Sequence, residues 1–148
     1  MGNLAIGDKV PQFSLKDQNG NDFKVEDYKG KKLIIYFYPK DESAVCTKEA
    51  CAFRDNYDIF TEKGAVVVGI NAASVESHKK FAVNQRLNFK LLSDPGNQVL
   101  KLFGVKNILF LTGRETFVIN EEGIVVFKYR GFLNGNAHIQ ETLQYLED

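Results

Sequence analysis

Two unbroken apolar runs of strand length anchor the pattern, Leu33-Ile34-Ile35-Tyr36-Phe37-Tyr38 and Ala65-Val66-Val67-Val68-Gly69-Ile70. Strands without polar alternation are expected where both sheet faces are covered, so both runs belong inside a sheet. Between them Ala50, Phe53, Tyr57 and Phe60 recur at steps of three and four, one face of a helix, and four positions back the same face reaches Cys46. Strand, helix and strand then form a right-handed crossover unit.

The flanking segments extend this core. Phe13-Ser14-Leu15 and Phe23-Lys24-Val25 flank Gln18-Asn19-Gly20-Asn21, and Asn-Gly tolerates the positive φ of a tight hairpin. Ser74 to Arg86 reads as a helix opened by a serine cap, with Val75, Phe81 and Ala82 inward and His78 an ordinary helix residue. Phe89 to Leu92 is a short strand, and Gln98 to Phe103 a brief helix stopped at Gly104. Thr116 to Ile119 pairs with Ile124 to Tyr129 in a second hairpin. After the turn-rich Gly131 to Asn136, Ile139, Leu143 and Leu146 mark a closing helix, which also carries His138 as an ordinary helix residue. The order β-α-β then β-β-α, behind an N-terminal β-hairpin, is the thioredoxin-like arrangement: an α/β fold with a central mixed sheet flanked by helices.

Composition narrows the function classes. The 148 residues carry 19 Lys+Arg against 19 Asp+Glu, and this balance argues against a dedicated nucleic-acid binder or a polybasic membrane-surface protein. No run approaches the roughly 20 apolar residues of a membrane span. No repeat or linker divides the chain, so residues 1–148 are expected to form a single domain. Met1 to Ile6 leads straight into polar Gly7-Asp8-Lys9, which does not read as a secretory signal, and Ile6 stands where a myristoylation signal needs Ser or Thr.

The two cysteines change the picture most. Cys46 and Cys51 are five positions apart, either a redox pair or two inert thiols. Cys46 lies just past the carboxyl end of the first core strand, in the crevice where open α/β sheets bind ligands. Pro39 bends the chain out of the strand, and Ser43 can cap the helix three residues ahead of Cys46. Unpaired amides and the helix dipole would then favour the thiolate, the nucleophilic form, provided solvent reaches it. Residues five apart in a regular helix have Cα atoms about 8–9 Å apart. A disulfide needs about 4.4–6.8 Å, so a bond between these cysteines requires local unwinding. Two states are expected, a reduced intact helix and an oxidised unwound one.

Pro39-x-x-x-Ser43-x-x-Cys46 resembles the peroxiredoxin active-site motif. Cys46-Thr47-Lys48-Glu49-Ala50-Cys51 with Phe53-Arg54-Asp55 is similar to the bacterioferritin-comigratory, or PrxQ, branch, and Arg114 to Asn120 resembles that family's second signature. The resemblance implies a thiol peroxidase with Cys46 as peroxidatic and Cys51 as resolving cysteine. It implies that Ser43 contacts peroxide and that Arg114 holds the thiolate and polarises the peroxide. Cys46 would pass through a sulfenic acid and then an intramolecular disulfide with Cys51, recycled by thioredoxin or glutaredoxin. Ser43-Ala44-Val45 replaces the family's usual Thr-Pro-Gly, which keeps the hydroxyl but loses a methyl that restrains its rotamer.

No metal or organic cofactor is required by this chemistry. Glu49 and Arg54 read as helix-surface or supporting groups. A monomer in reducing surroundings, the cytosol or a plastid stroma, is the expected form. Two other classes stay open: a thiol–disulfide oxidoreductase acting on proteins, disfavoured because the pair is not Cys-x-x-Cys, and a redox-switched binding module that exposes Phe53, Tyr57 or Phe60.

Overall fold

The apolar runs do form the middle of a sheet. The computed structural model describes residues 4–105, 114–130 and 135–147. Its strands are β1 (Ser14–Lys16), β2 (Asp22–Lys24), β3 (Lys32–Phe37), β4 (Ala65–Asn71), β5 (Lys90–Ser93), β6 (Glu115–Ile119) and β7 (Val125–Arg130). They lie in the order β2-β1-β5-β4-β3-β6-β7. β3, β4 and β5 are mutually parallel, as crossover connections require, and the remaining pairs are antiparallel.

Helices cover both faces. They are α1 (Ala44–Asp55), α2 (Tyr57–Glu62), α3 (Val75–Asn84), α4 (Gln98–Phe103) and α5 (Gly135–Glu147). Alternate residues of each central strand serve opposite layers. Leu33, Ile35 and Phe37 of β3 join Val68 and Ile70 of β4 and pack with Leu100 and Phe103 of α4. Ile34 and Tyr36 join Val67 on the other face, under Cys46, Ala50 and Phe53 of α1, Phe60 of α2, Phe81 of α3 and Ile139 of α5. This is the expected mixed sheet between helical layers, and the site lies on the second face.

The first hairpin pairs Ser14 with Lys24, Leu15 with Phe23 and Lys16 with Asp22. Gly20 takes φ +80° in its turn. Asp17, buried, accepts the amides of Asn19 and Asn21 at 2.9 and 3.0 Å, so the turn depends on a side chain ahead of the Asn-Gly pair.

Four local expectations need correction. The helix expected to run from Cys46 to Phe60 is two helices, broken at Asn56. The Asn56 side chain donates to the Ala52 carbonyl oxygen at 2.7 Å and thus competes with the helix for its acceptors. Phe53 and Phe60 remain buried, whereas Tyr57 at the break is only half-buried. In α3, Val75 is half-buried and the inward position belongs to His78, which is fully buried with Phe81. The last strand begins at Val125, because Ile124 bridges to Lys9 instead. Of the turn expected over Gly131 to Asn136, residues 131–134 lie outside the described residues, and Gly135 already opens α5.

Candidate active site

α1 starts one residue after Ser43, so Cys46 occupies the third position of its first turn. The Ser43 carbonyl oxygen accepts the first helical bond, from the Thr47 amide at 2.8 Å. The amides of Ala44, Val45 and Cys46 therefore have no acceptor within the helix, and the positive end of the helix lies at the cysteine. Pro39 and the residues after it form the bend between β3 and α1. Within that bend Glu42 has φ +62°, a conformation uncommon for a side chain larger than glycine, and its Oε1 accepts from Asn84 Nδ2 at 2.7 Å.

Ser43 is the N-cap residue, but its hydroxyl does not cap. Its Oγ donates to the Lys40 carbonyl oxygen at 3.2 Å, and no helix amide is bonded to it. Ser74, by contrast, accepts the Ser77 amide at 3.1 Å and caps α3 as expected. With its proton committed to Lys40, the Ser43 hydroxyl keeps its lone pairs for a donor outside the protein.

Arg114 precedes β6, and β6 pairs with β3 on the side away from β4. That neighbour relation brings residue 114 to α1 across 68 positions of sequence: Arg114 Nη2 donates to Cys46 Sγ at 3.1 Å. Arg114 Nη1 donates to Glu49 Oε1. Glu49 is one turn below Cys46 and fully buried, so of its two readings, helix-surface or supporting group, the structure leaves the supporting one. Burial pushes its carboxyl up to about 8, although Arg114 pulls in the opposite direction by charge and by hydrogen bonding. Among the described residues Glu49 Oε2 has no hydrogen-bond partner. His138 Nδ1 lies 3.7 Å from it and bonds Thr116 Oγ1 at 2.7 Å.

Cys46 itself is 1% exposed, contrary to the expectation of a solvent-reachable sulfur. The cause is the spacing that located it: Cys46 shares the inward face of α1 with Ala50 and Phe53 and packs with Tyr36 and Tyr38, while Arg114 covers Sγ. Access of any reactant to Sγ therefore requires side chains around it to shift. Cys51 is half-buried, both thiols are free, and α1 is continuous through them, as expected of the reduced state. Cys51 Sγ donates to Gln85 Oε1 at 3.5 Å. Arg54, half-buried, donates from Nη1 to the Gln85 carbonyl oxygen.

A second polar cluster supports the bend. Asp41 accepts from Tyr38 at 2.6 Å, from Ser77 at 2.7 Å and from Asn71 at 3.4 Å. His78 Nδ1 lies 2.8 Å from Asp41 Oδ2, and its Nε2 lies 2.9 Å from the Leu92 carbonyl oxygen. The ring thus bridges the Asp41 carboxyl and the backbone of β5. Burial works against the Asp41 charge, but hydrogen bonding and charge from His78, with the Tyr38 and Ser77 bonds, hold its carboxyl below the ordinary aspartate value. Sequence reasoning missed this cluster. The available signal was position 78, one turn before Phe81 on the same face of α3.

Comparison with known proteins shows the family. Residues 6–128 match the model of the AhpC/TSA family. The chain is 49% identical over 146 residues to the chloroplastic peroxiredoxin Q of Sedum lineare, covering 97% of this chain and 78% of that protein. It is 44% identical over 149 residues to the chloroplastic peroxiredoxin Q of Triticum aestivum, covering 99% and 69%. Among solved structures, peroxidoxin BcpB of Mycobacterium tuberculosis superposes with a TM-score of 0.92 at 35% identity, over 98% of this chain and 97% of that one. The bacterioferritin comigratory protein of Xanthomonas campestris, described for its alkyl peroxide reduction activity, superposes with a TM-score of 0.87 at 28% identity, over 99% and 98%.

Proposed function

From the premise that this chain belongs to the AhpC/TSA family and is a thiol-dependent peroxidase of thioredoxin-like fold, we propose that Cys46 attacks the peroxide and Cys51 resolves the product. The observation that supports this most directly is Arg114 donating to a cysteine sulfur in the first turn of a helix. The guanidinium and the helix terminus both favour negative charge at Sγ.

In the first step the Cys46 thiolate attacks one peroxide oxygen. The S–O bond forms as the O–O bond breaks, and the departing oxygen takes a proton and leaves as water or an alcohol. Negative charge moves from sulfur to the leaving oxygen. Arg114 and the first-turn amides are the fixed donors near that path, and the Ser43 hydroxyl accepts from the peroxide O–H. Pro39 supports the bend that carries Ser43. In the second step α1 unwinds, Cys51 displaces hydroxide from the sulfenic acid, and a disulfide and water result. An external dithiol, thioredoxin or glutaredoxin, restores both thiols by exchange.

We take residues 1–148 as one domain acting as a monomer. The chloroplastic relatives favour a plastid stroma over the cytosol as its setting. The test is peroxide consumption with a thioredoxin system. Cys46→Ser is expected to show no turnover, and Cys51→Ser to consume one equivalent and stall. After one equivalent of peroxide the parent chain should lose two mass units, mapped to a bond between Cys46 and Cys51. Unmodified thiols would overturn the reading.

A further inference from the structure

Resolution requires α1 to come apart, and the end of α3 holds α1 from the side. We propose that Gln85 is a positioning residue that latches Cys51 into the folded helix and so sets how fast the Cys46 sulfenic acid is resolved. The proposal rests on the peroxidase reading above and adds to it the residue that governs the change of state.

Three neighbouring residues make the latch. Gln85 ends α3, its amide bonded to the Phe81 carbonyl oxygen at 3.0 Å. Its side-chain Oε1 accepts from Cys51 Sγ at 3.5 Å, and its backbone carbonyl accepts from Arg54 Nη1. Asn84, one residue earlier, donates to Glu42 Oε1 at 2.7 Å. Asn88, beyond the turn, donates to the Arg54 carbonyl oxygen at 3.5 Å. The segment keeps this reach because the chain reverses sharply: Arg86 takes φ +53°, and the Leu87 amide returns to the Ala82 carbonyl oxygen at 2.9 Å. One short stretch thus grips the bend ahead of α1, its second cysteine and its last turn.

These contacts differ in kind from the hold on the inward face of α1, which is apolar packing together with the buried Arg114 bonds to Cys46 and Glu49. Ala50 and Phe53 anchor the inward face by apolar packing, whereas Cys51 and Arg54 lie off that face and are held by polar bonds at half-buried positions. Such bonds open at low cost. The bond from Cys51 is the one that must break for the disulfide to form. In that step the S–O bond of the sulfenic acid breaks, the S–S bond forms, and hydroxide leaves with the Cys51 proton as water. A tight latch prolongs the sulfenic acid and exposes it to a second peroxide, which carries it to sulfinic acid. A loose latch shortens its life.

The test follows the two steps separately in the full chain. In Gln85→Ala, sulfenic acid formation should keep its parent rate, while disulfide formation speeds up about three- to tenfold, the range for losing one modest hydrogen bond. Less sulfinic acid should accumulate at excess peroxide, read by intact mass. Gln85→Glu, which keeps the acceptor oxygen and the shape, should resolve no faster than the parent. Hydrogen exchange of the reduced protein supplies a readout free of peroxide: amides of α1 from Thr47 to Asp55 should exchange faster in Gln85→Ala. If Gln85→Ala does not fold, Arg54→Gln frees the Gln85 carbonyl and should move exchange the same way. Unchanged exchange, an unchanged resolution rate, or equal acceleration in the Ala and Glu variants would overturn the latch. A parent chain that consumes no peroxide would sink the peroxidase reading, and the exchange comparison would still decide whether Gln85 holds α1.

Discussion

The guanidinium of Arg114 serves Cys46 and Glu49 at once, with Nη2 donating to Sγ at 3.1 Å and Nη1 to the Glu49 carboxyl. One planar cation therefore links the nucleophile to a carboxyl one turn further along the same helix. The arrangement has a consequence for charge. If Glu49 is a neutral acid, the whole guanidinium charge faces the sulfur; if Glu49 is ionised, the two anions share it.

Arg114→Lys is expected to separate shape from charge. A lysine ammonium is a point charge and cannot reproduce two parallel N–H donors in fixed directions. The rate of peroxide reduction by Cys46 should fall about 10²- to 10³-fold, the usual cost of losing a preorganised donor at developing charge. Stopped-flow measurement of the first oxidation step, with circular dichroism to check the fold, gives the answer. A loss smaller than tenfold would remove Arg114 from the reaction.

Glu49 should impose an alkaline limit. Burial raises its carboxyl from the ordinary 4.5 to about 8. Below that value it is a neutral acceptor for Arg114. Above it, the carboxylate competes with the Cys46 thiolate for the same cation, and the rate constant per thiolate should drop. Stability carries the matching sign: between 4.5 and 8 the folded chain binds a proton that the unfolded chain has released, so this group lowers stability as pH rises through that window. Glu49→Gln stays neutral throughout. It should keep its rate above pH 8 and show a flatter stability profile, measured by single-turnover kinetics and urea unfolding at each pH.

Arg114 and Glu49 also show how far the sequence could be read. The strands were plain because β3 and β4 are apolar on both faces, and the helical stripe of Cys46, Ala50 and Phe53 placed the first cysteine correctly. Glu49 lies one turn from Cys46 and from Phe53 on that same stripe. The sequence left it a helix-surface or a supporting group, and what decides between them is its pairing with Arg114, 65 positions away. His78 was misjudged because its partners Asp41 and Leu92 come from other elements. Arg114 itself carried no local signal, and family resemblance alone singled it out. Periodicity reports which face of an element is apolar; it does not report which polar groups meet across the fold.

The Asp41–His78 pair makes an acid-labile contribution to stability. Asp41 is held below its ordinary 3.8 in the folded chain, so its contribution is complete above that value and disappears as pH falls through the folded-state value. Asp41→Asn should cost about 1–3 kcal/mol at neutral pH, because the amide cannot accept on both of its side-chain atoms from Tyr38, Ser77 and His78 as the carboxylate does. The variant should also lose part of the parent's fall in stability as pH drops below 3.8. Urea unfolding across that range measures both. The loop that carries Ser43 follows Asp41 directly, so the same variant should slow peroxide reduction.

Tyr36 offers a gain in stability. Its ring is buried, stacks on Phe53 with centroids 4.6 Å apart, and its hydroxyl has no hydrogen-bond partner among the described residues. Gly69, paired with Tyr36 on β4, leaves the space for that ring: a Cβ there would lie 2.8 Å from Tyr36 Cζ and 2.9 Å from the hydroxyl oxygen. A buried hydroxyl that has lost water without gaining a partner costs about 1–3 kcal/mol. Tyr36→Phe removes that atom and keeps the stack, so it should raise stability by about 1 kcal/mol or more, read as an increase in the urea midpoint with the slope unchanged. Gly69→Ala should do the reverse and cost about 1–3 kcal/mol, since the overpacked ring is packed against Phe53, Tyr38 and Phe89 and can yield only by displacing them. The double variant then discriminates. With the hydroxyl gone, Gly69→Ala should cost less than it does in the parent, and strictly additive effects would show that the methyl and the hydroxyl do not compete for the same space.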